Sequence, residues 1–250
     1  MLSIFCPYRN RPALIDDFIH DYSYLFPTAK IYIVEQADNQ PFKRGQLANV
    51  IFNELLKLKE PLENIAFIDI DLRLSGFVDF EGMLERNKVV TVPFDKIELY
   101  DFKGLGKYEW TGQKSYFLEG NHLAGGITLY TKEIFEKCNG FSNVYVGWGC
   151  EDSDFLLRNP NHKHEHNTII HLEHKRENVK KVLARNSNIL QCKRSDPQKD
   201  GYRQTLVKES SCLKLSDQAY HYKVKNIGVT SDFEYMEYFN ESHIRQNCVL

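Results

Sequence analysis

The chain has 250 residues, 42% apolar and 26% charged, which excludes a disordered or fibrous polypeptide and fits one globular domain. A formal net charge of −2 excludes the global basic field of a nucleic-acid binder, so any attraction to phosphate has to be local. No apolar run of transmembrane length and no signal peptide is present; six scattered cysteines without CxxC pairs read as reduced thiols, with Cys6 in the core and the protein cytoplasmic.

The first hundred residues alternate strand and helix patterns. Residues 2–6 (LSIFC) read as a strand, and Leu14, Phe18 and Leu25 recur at helical spacing between Arg11 and Phe26. Residues 30–36 (KIYIVEQ) give a β-branched strand, followed by an amphipathic helix marked by Leu47, Ile51, Leu55 and Leu58. Strands at 65–71 (IAFIDID) and 88–94 (KVVTVPF) complete this half. Asp95 to Gly120 is irregular, aromatic and glycine-containing, and reads as a long loop or lid. Residues 126–138 give another strand and helix; beyond about 185 the pattern weakens, with a hairpin expected near Tyr220, Tyr222 and Val224. Alternating strands and helices predict an α/β fold, with a mostly parallel central sheet flanked by helices.

Ligands of such sheets bind beyond the carboxyl ends of the strands. Pro7-Tyr8-Arg9-Asn10-Arg11 follows the first strand, where two forked guanidiniums could hold a nucleotide diphosphate; surface arginines opening a helix are the plain alternative. Phe42 and Arg44 could add a stacking ring and a phosphate contact, with core packing the alternative for Phe42. Asp69-Ile70-Asp71 closes an apolar strand. On an extended chain residues two apart share a side, so both carboxylates could reach a divalent cation or a ribose; solvent-facing turn carboxylates are the alternative.

His171-Leu172-Glu173-His174 spaces two imidazoles closely enough for one metal, and imidazole with carboxylate favours Mn²⁺ over Mg²⁺. His162, His164 and His166 read as a polar surface loop, in preference to an adventitious metal tract. The richest stretch is 139–154 (NGFSNVYVGWGCEDSD), where Trp148 lies between Gly147 and Gly149 ahead of Glu151, Asp152 and Asp154. An aromatic face, bare backbone and clustered carboxylates suit binding and deprotonation of a sugar hydroxyl. An acidic run opening a helix also complements the helix dipole with no further role. No dinucleotide fingerprint, phosphate loop, nucleophile elbow or HExxH is present.

Taken in order, these segments resemble the β-1,4-galactosyltransferase family. Its pattern PFRNR, NQ…FNRAxLLNVG, FxDVDL, FGGV and NGFxNxxxGWGGEDDD appears as FCPYRNR (5–11), EQADNQPFKRGQLANV (35–50), FIDIDL (67–72), LAGGI (123–127) and NGFSNVYVGWGCEDSD (139–154). HLEHKR (171–176) and DGYRQTLVK (200–208) follow, so the likeness spans about residues 3–208 in unbroken order. The resemblance implies a Rossmann-like nucleotide-diphosphosugar transferase fold of the GT-A type, with a catalytic domain at 1–208 and an extension at 209–250 packing on it. It also implies Mn²⁺, a UDP-sugar donor and inversion at the anomeric carbon.

Carried over by position, Pro7, Arg9, Arg11, Phe42, Arg44 and Asp69 resemble the nucleotide contacts. Asp71, His171 and His174 resemble the metal ligands, with His171 where vertebrate members carry methionine. Leu123, Gly126, Trp148, Glu151 and Ser153 fall at sugar-binding positions, and Asp152 falls at the base. Ser153 replaces an acceptor-binding aspartate, and Cys150 replaces a glycine, expected to be a small change. Leu123 replaces a tyrosine of galactose-specific members, leaving room for an N-acetyl group. The expected activity is transfer of galactose or N-acetylgalactosamine from a UDP-sugar to a glycan hydroxyl, a lipid-linked glycan at the inner membrane face included. The absent anchor points to a bacterial-type member. A nucleotide-sugar hydrolase and a non-catalytic glycan-binding protein are the alternatives.

Overall fold

The computed structural model describes residues 1–92, 97–98, 109–110, 126–147, 149–159, 161–165, 169–172, 179–191 and 197–230. The strands are β1 (Leu2–Tyr8), β2 (Lys30–Gln36), β3 (Asn64–Phe67), β4 (Leu72–Leu74), β5 (Val89–Val92), β6 (Ile97–Glu98), β7 (Glu109–Trp110), β8 (Ile127–Thr131), β9 (Lys163–His164), β10 (Ile169–His171), β11 (Thr205–Lys214) and β12 (Ala219–Val229). The helices are α1 (Ile15–Leu25), α2 (Arg44–Lys57), α3 (Phe80–Arg86), α4 (Lys132–Lys137), α5 (Glu151–Leu157) and α6 (Val179–Gln191).

Eight strands form the main sheet in the order β11-β12-β2-β1-β3-β8-β5-β9. Its centre, β12-β2-β1-β3, is parallel, whereas β8 runs antiparallel to both β3 and β5. The expected α/β sheet is therefore present in mixed form. Period-two alternation splits the core. Ile4, Cys6, Ile31 and Ile33 face one layer with Phe18 and Tyr22 of α1, while Phe5, Tyr32, Val34 and Phe67 face another with Leu47 and Ile51 of α2.

Local sequence starts the helices. Asp79 accepts from the Gly82 amide at 2.9 Å to open α3, and Thr131 caps α4 in the same way. Pro12 opens a short 3-10 turn (Pro12–Leu14) that leads into α1, and the acidic pair Asp16 and Asp17 suits the first turn of α1. Phe155 of α5 stacks on Phe141 at 4.5 Å between centroids, fixing α5 over the second core layer.

The C-terminal hairpin is part of the sheet. Tyr220 and Tyr222 of β12 pair with Tyr32 and Val34 of β2, so β12 extends the parallel centre. The boundary expected at 208/209 falls inside β11. Helix α6 lies where the sequence pattern weakens. Among the described residues no helix is long and apolar enough to cross a membrane.

Candidate active site

The carboxyl ends of β1 and β3 carry the first part of the site. Pro7 is buried in β1 opposite Val34, and the chain then turns through Asn10, whose φ is +54°. The Arg11 amide donates to the Tyr8 hydroxyl at 3.1 Å, and Arg9 Nη1 donates to the Gln40 carbonyl. The fold-back aims Arg11 at the acidic turn, where its Nη1 meets Asp71 Oδ2 at 2.8 Å.

Asp69 and Asp71 do not lie on an extended strand as expected. β3 ends at Phe67, and the Leu72 amide closes a turn onto the Asp69 carbonyl at 3.0 Å. The turn sends the two carboxylates to different arginines: Asp71 to Arg11, and Asp69 to Arg44 Nε at 2.6 Å.

Arg44 is the hub. It opens α2 with its side chain only 8% exposed and its guanidinium carbon 4.5 Å from the Phe67 ring centroid. Its Nη1 reaches Asp152 Oδ1 at 2.6 Å and Glu151 Oε1 at 3.2 Å. Its guanidinium is thus bonded to three carboxylates. Burial would lower its pKa, but Asp152, Asp69 and Glu151 together raise it well above the ordinary value.

Glu151 responds the opposite way. Burial, then the neighbouring charge of Asp152, push its carboxyl up to about 7 against the pull of Arg44. Its Oε2 has no hydrogen-bond partner among the described residues. Burial likewise raises Asp69, with Arg44 opposing. Among the described residues, the ion pairs of this group join four carboxylates (Asp69, Asp71, Glu151 and Asp152) to two guanidiniums.

Among the described residues no group of three or more histidine, cysteine or acidic side chains is arranged to hold a metal ion, so a cation here would also need ligands from the histidine-bearing segment. β10 runs antiparallel to β4 with His171 opposite Leu72, and the Leu172 amide donates to the Asp71 carbonyl at 2.8 Å. The backbone register therefore delivers the histidine-bearing segment to Asp71. Only the backbone of His171 is described, and His174 lies outside the described residues.

The acidic turn of α5 is set by the glycine segment before it. Gly147, Gly149 and Cys150 have φ of +81°, +96° and +76°, and the Gly147 amide donates to the Phe42 carbonyl at 2.7 Å. A Cβ on Gly147 would lie 2.6 Å from Val182 of α6, so the close approach also requires glycine. Asn186 of α6 ties the turn down by donating to the Gly149 carbonyl at 2.9 Å. Cys150, expected to be a harmless replacement, is a non-glycine residue in left-handed backbone. Burial pushes its thiol up to about 12, so it is no nucleophile at neutral pH.

The expected residues divide accordingly. Arg11, Arg44, Asp69, Asp71, Glu151 and Asp152 form one bonded group. Phe42 is half-buried against the second core layer, which is its packing alternative. Gly126 precedes β8 with φ of +90°, and Ser153 is half-buried on α5. Leu123 and Trp148 lie outside the described residues. The HKHEH tract is not simply a surface loop: Lys163 and His164 form edge strand β9 beside β5, and His164 Nδ1 contacts Thr91 Oγ1.

Sequence reasoning also missed a second charged group. Asp154, grouped with the other acidic residues, instead receives Arg158 Nε at 2.8 Å. Arg158 further meets Asp200 and the carbonyls of Cys138, Gly140 and Asp200. The Asp154/Arg158 spacing of one helical turn was the available signal.

Comparison with known proteins gives a consistent picture. The family model described as the N-terminal region of glycosyl transferase group 7 matches residues 1–75, and that described as the N-terminal domain of galactosyltransferase matches residues 111–182. The chain is 33% identical over 171 residues to β-1,4-galactosyltransferase 4 of Mus musculus, covering 65% of this chain and 43% of the relative. It thus spans less than half the length of that curated relative. The crystal structure of the catalytic domain of Drosophila β-1,4-galactosyltransferase 7 with xylobiose superposes with a TM-score of 0.61 at 21% identity, covering 92% of this chain and 94% of that one. A mutant of that enzyme in complex with manganese, UDP-Gal and xylobiose gives 0.57 at 19% identity with the same coverage. These superpositions establish a shared glycosyltransferase fold.

Proposed function

The chain belongs to the β-1,4-galactosyltransferase family, and we propose that it transfers galactose or N-acetylgalactosamine from a UDP-sugar to a hydroxyl of a glycan acceptor with inversion. The observation that carries this reading is the grip of Arg44 on Asp69, Glu151 and Asp152, which joins the strand-end acidic turn to the start of α5.

In this mechanism Asp152 accepts the acceptor proton as the hydroxyl oxygen attacks the anomeric carbon. The bond from that carbon to the UDP oxygen breaks on the opposite face, and UDP leaves. Arg44 restrains Asp152 in one orientation, shortening the search for a reactive pose. Arg9 and Arg11, with Pro7, line the segment after β1 that receives the nucleotide, and Trp148 with Ser153 and Glu151 contacts the sugars. Asp71, His171 and His174 would hold Mn²⁺, whose charge offsets that on the departing diphosphate. Arg11 yields Asp71 when the donor enters, exchanging a carboxylate for phosphate. Leu123 admits the N-acetyl group. We also place the enzyme in the cytoplasm, in keeping with the free Cys6, Cys138, Cys150 and Cys212.

The test is UDP release with Mn²⁺ from UDP-Gal, UDP-GalNAc, UDP-Glc and UDP-GlcNAc, with and without sugar acceptors. Acceptor-stimulated release from either of the first two is expected. Release at one rate with or without any acceptor would replace this reading with hydrolysis.

A further inference from the structure

An open cavity of about 250 Å³ is lined by the start of α2, residues 143–146, α6 and the end of β12. Lys43, Gln46, Asn143, Val144, Val146, Arg185 and Val229 are among the residues that line it. None of these belongs to the acidic group around Arg44. Although Lys43 and Arg44 are adjacent, Arg44 turns to the carboxylates and Lys43 to this cavity.

Three features of the lining point to a ligand. Lys43 Nζ donates to the Ile227 carbonyl at 2.6 Å, and Arg185 Nη2 to the Val144 carbonyl at 3.2 Å. Arg185 Nη1 donates to Asn186 Oδ1 at 2.9 Å. These neutral oxygens fix both cations in place without cancelling their charge. Burial lowers the Lys43 pKa against the more distant pull of Asp38, so an arriving anion would restore what desolvation removes. Finally, Gln46 is 3% exposed and its Nε2 is engaged with the Asn143 carbonyl at 2.6 Å, yet its Oε1 has no partner among the described residues. A buried acceptor left unmatched is costly, and a bound donor would remove that cost.

We propose that this cavity binds a hydroxylated anion, a carboxylate or phosphate carried on a sugar. The anionic group lies between Lys43 and Arg185, a hydroxyl donates to Gln46 Oε1, and the carbon framework rests on Val144, Val146 and Val229. Two cations and one orphan acceptor match that combination, and a neutral sugar would leave both charges unmatched. Because Val144 and Val146 lead directly into Gly147, an occupant would also brace the turn that presents Glu151 and Asp152.

The test is calorimetric titration of the full chain, without nucleotide or metal, using glucuronate, glucose 6-phosphate and neutral glucose. At least one anion is expected to bind ten-fold or more tightly than glucose, and the pair shows whether carboxylate or phosphate is preferred. The double variant Lys43→Met/Arg185→Met should lose that preference, whereas Arg11→Met, on the strand-end site, should keep it. Val229→Trp fills the cavity while keeping both cations and should also abolish binding, which guards against a double variant that fails to fold. No preference for either anion, or a preference that survives Val229→Trp and disappears in Arg11→Met, would overturn the proposal. The readout is binding alone, so its failure is separate from any failure of the transferase reading.

Discussion

Two buried arginines grip carboxylates at opposite ends of α5, and their surroundings differ. Arg158, at the C-terminal end, meets Asp154 and Asp200 together with three backbone carbonyls. Asp200 also accepts from Ser142 Oγ and from the Asn143 amide at 2.7 Å. That group ties residues 138–143 and Asp200 to α5. Arg44, at the N-terminal end, faces three carboxylates and leaves Glu151 Oε2 unpaired among the described residues. A well-bonded network fixes structure, while an under-neutralised one at strand ends retains attraction for a cation or proton.

The contrast can be broken most severely at Arg158. Arg158→Met leaves Asp154 and Asp200 buried without their cation and should cost about 3–5 kcal/mol, read as a lowered urea midpoint. A loss under about 1 kcal/mol would mean that the carbonyls and amides hold these loops without it. At the other arginine the larger effect should fall on rate. Asp152→Asn should reduce kcat roughly 10³-fold while UDP binding by calorimetry is retained. Equal loss of both would remove Asp152 from the role of base.

Glu151 sharpens the comparison through pH. Its pKa is raised from the ordinary 4.5 to about 7 in the folded protein, so the native state holds the proton more tightly than the unfolded chain. Stability contributed by this group is therefore intact below pH 4.5 and falls as pH rises through about 7. Glu151→Gln should flatten that limb, measured as the difference in urea midpoint between pH 5 and pH 8. An unchanged slope would place the titration elsewhere.

The smallest effect is expected at Cys150. Cys150→Gly relieves a left-handed backbone at φ +76° and should raise stability by up to about 1 kcal/mol. A lower Tm would show that packing of the Cys150 side chain against Val144, Tyr145 and Ile189 outweighs the backbone strain.

Much of the fold is legible along the chain because strands and helices impose periods of two and 3.6 on side chains that share a core. Residues 30–36 coincide with β2, and residues 126–138 contain β8 and α4. The hairpin signal around Tyr220 and Tyr222 identified two strands, but not that β12 lies parallel against β2 from far along the sequence. The carboxylates and arginines were also legible as a set. Their pairing was not: Arg44 meets Glu151 and Asp152 across more than a hundred residues, and Asp154 turns away to Arg158.

The sequence by itself determined the family, the order of the elements and the chemical types at the strand ends, since each rests on local pattern or on motifs kept in order. Tertiary structure alone decided which cation each carboxylate meets, why Cys150 is not a neutral exchange for glycine, and that Lys43 and Arg185 line one cavity. Those outcomes depend on through-space distance and on burial, which sets how strongly charges act on one another, and neither is written in any short stretch of residues.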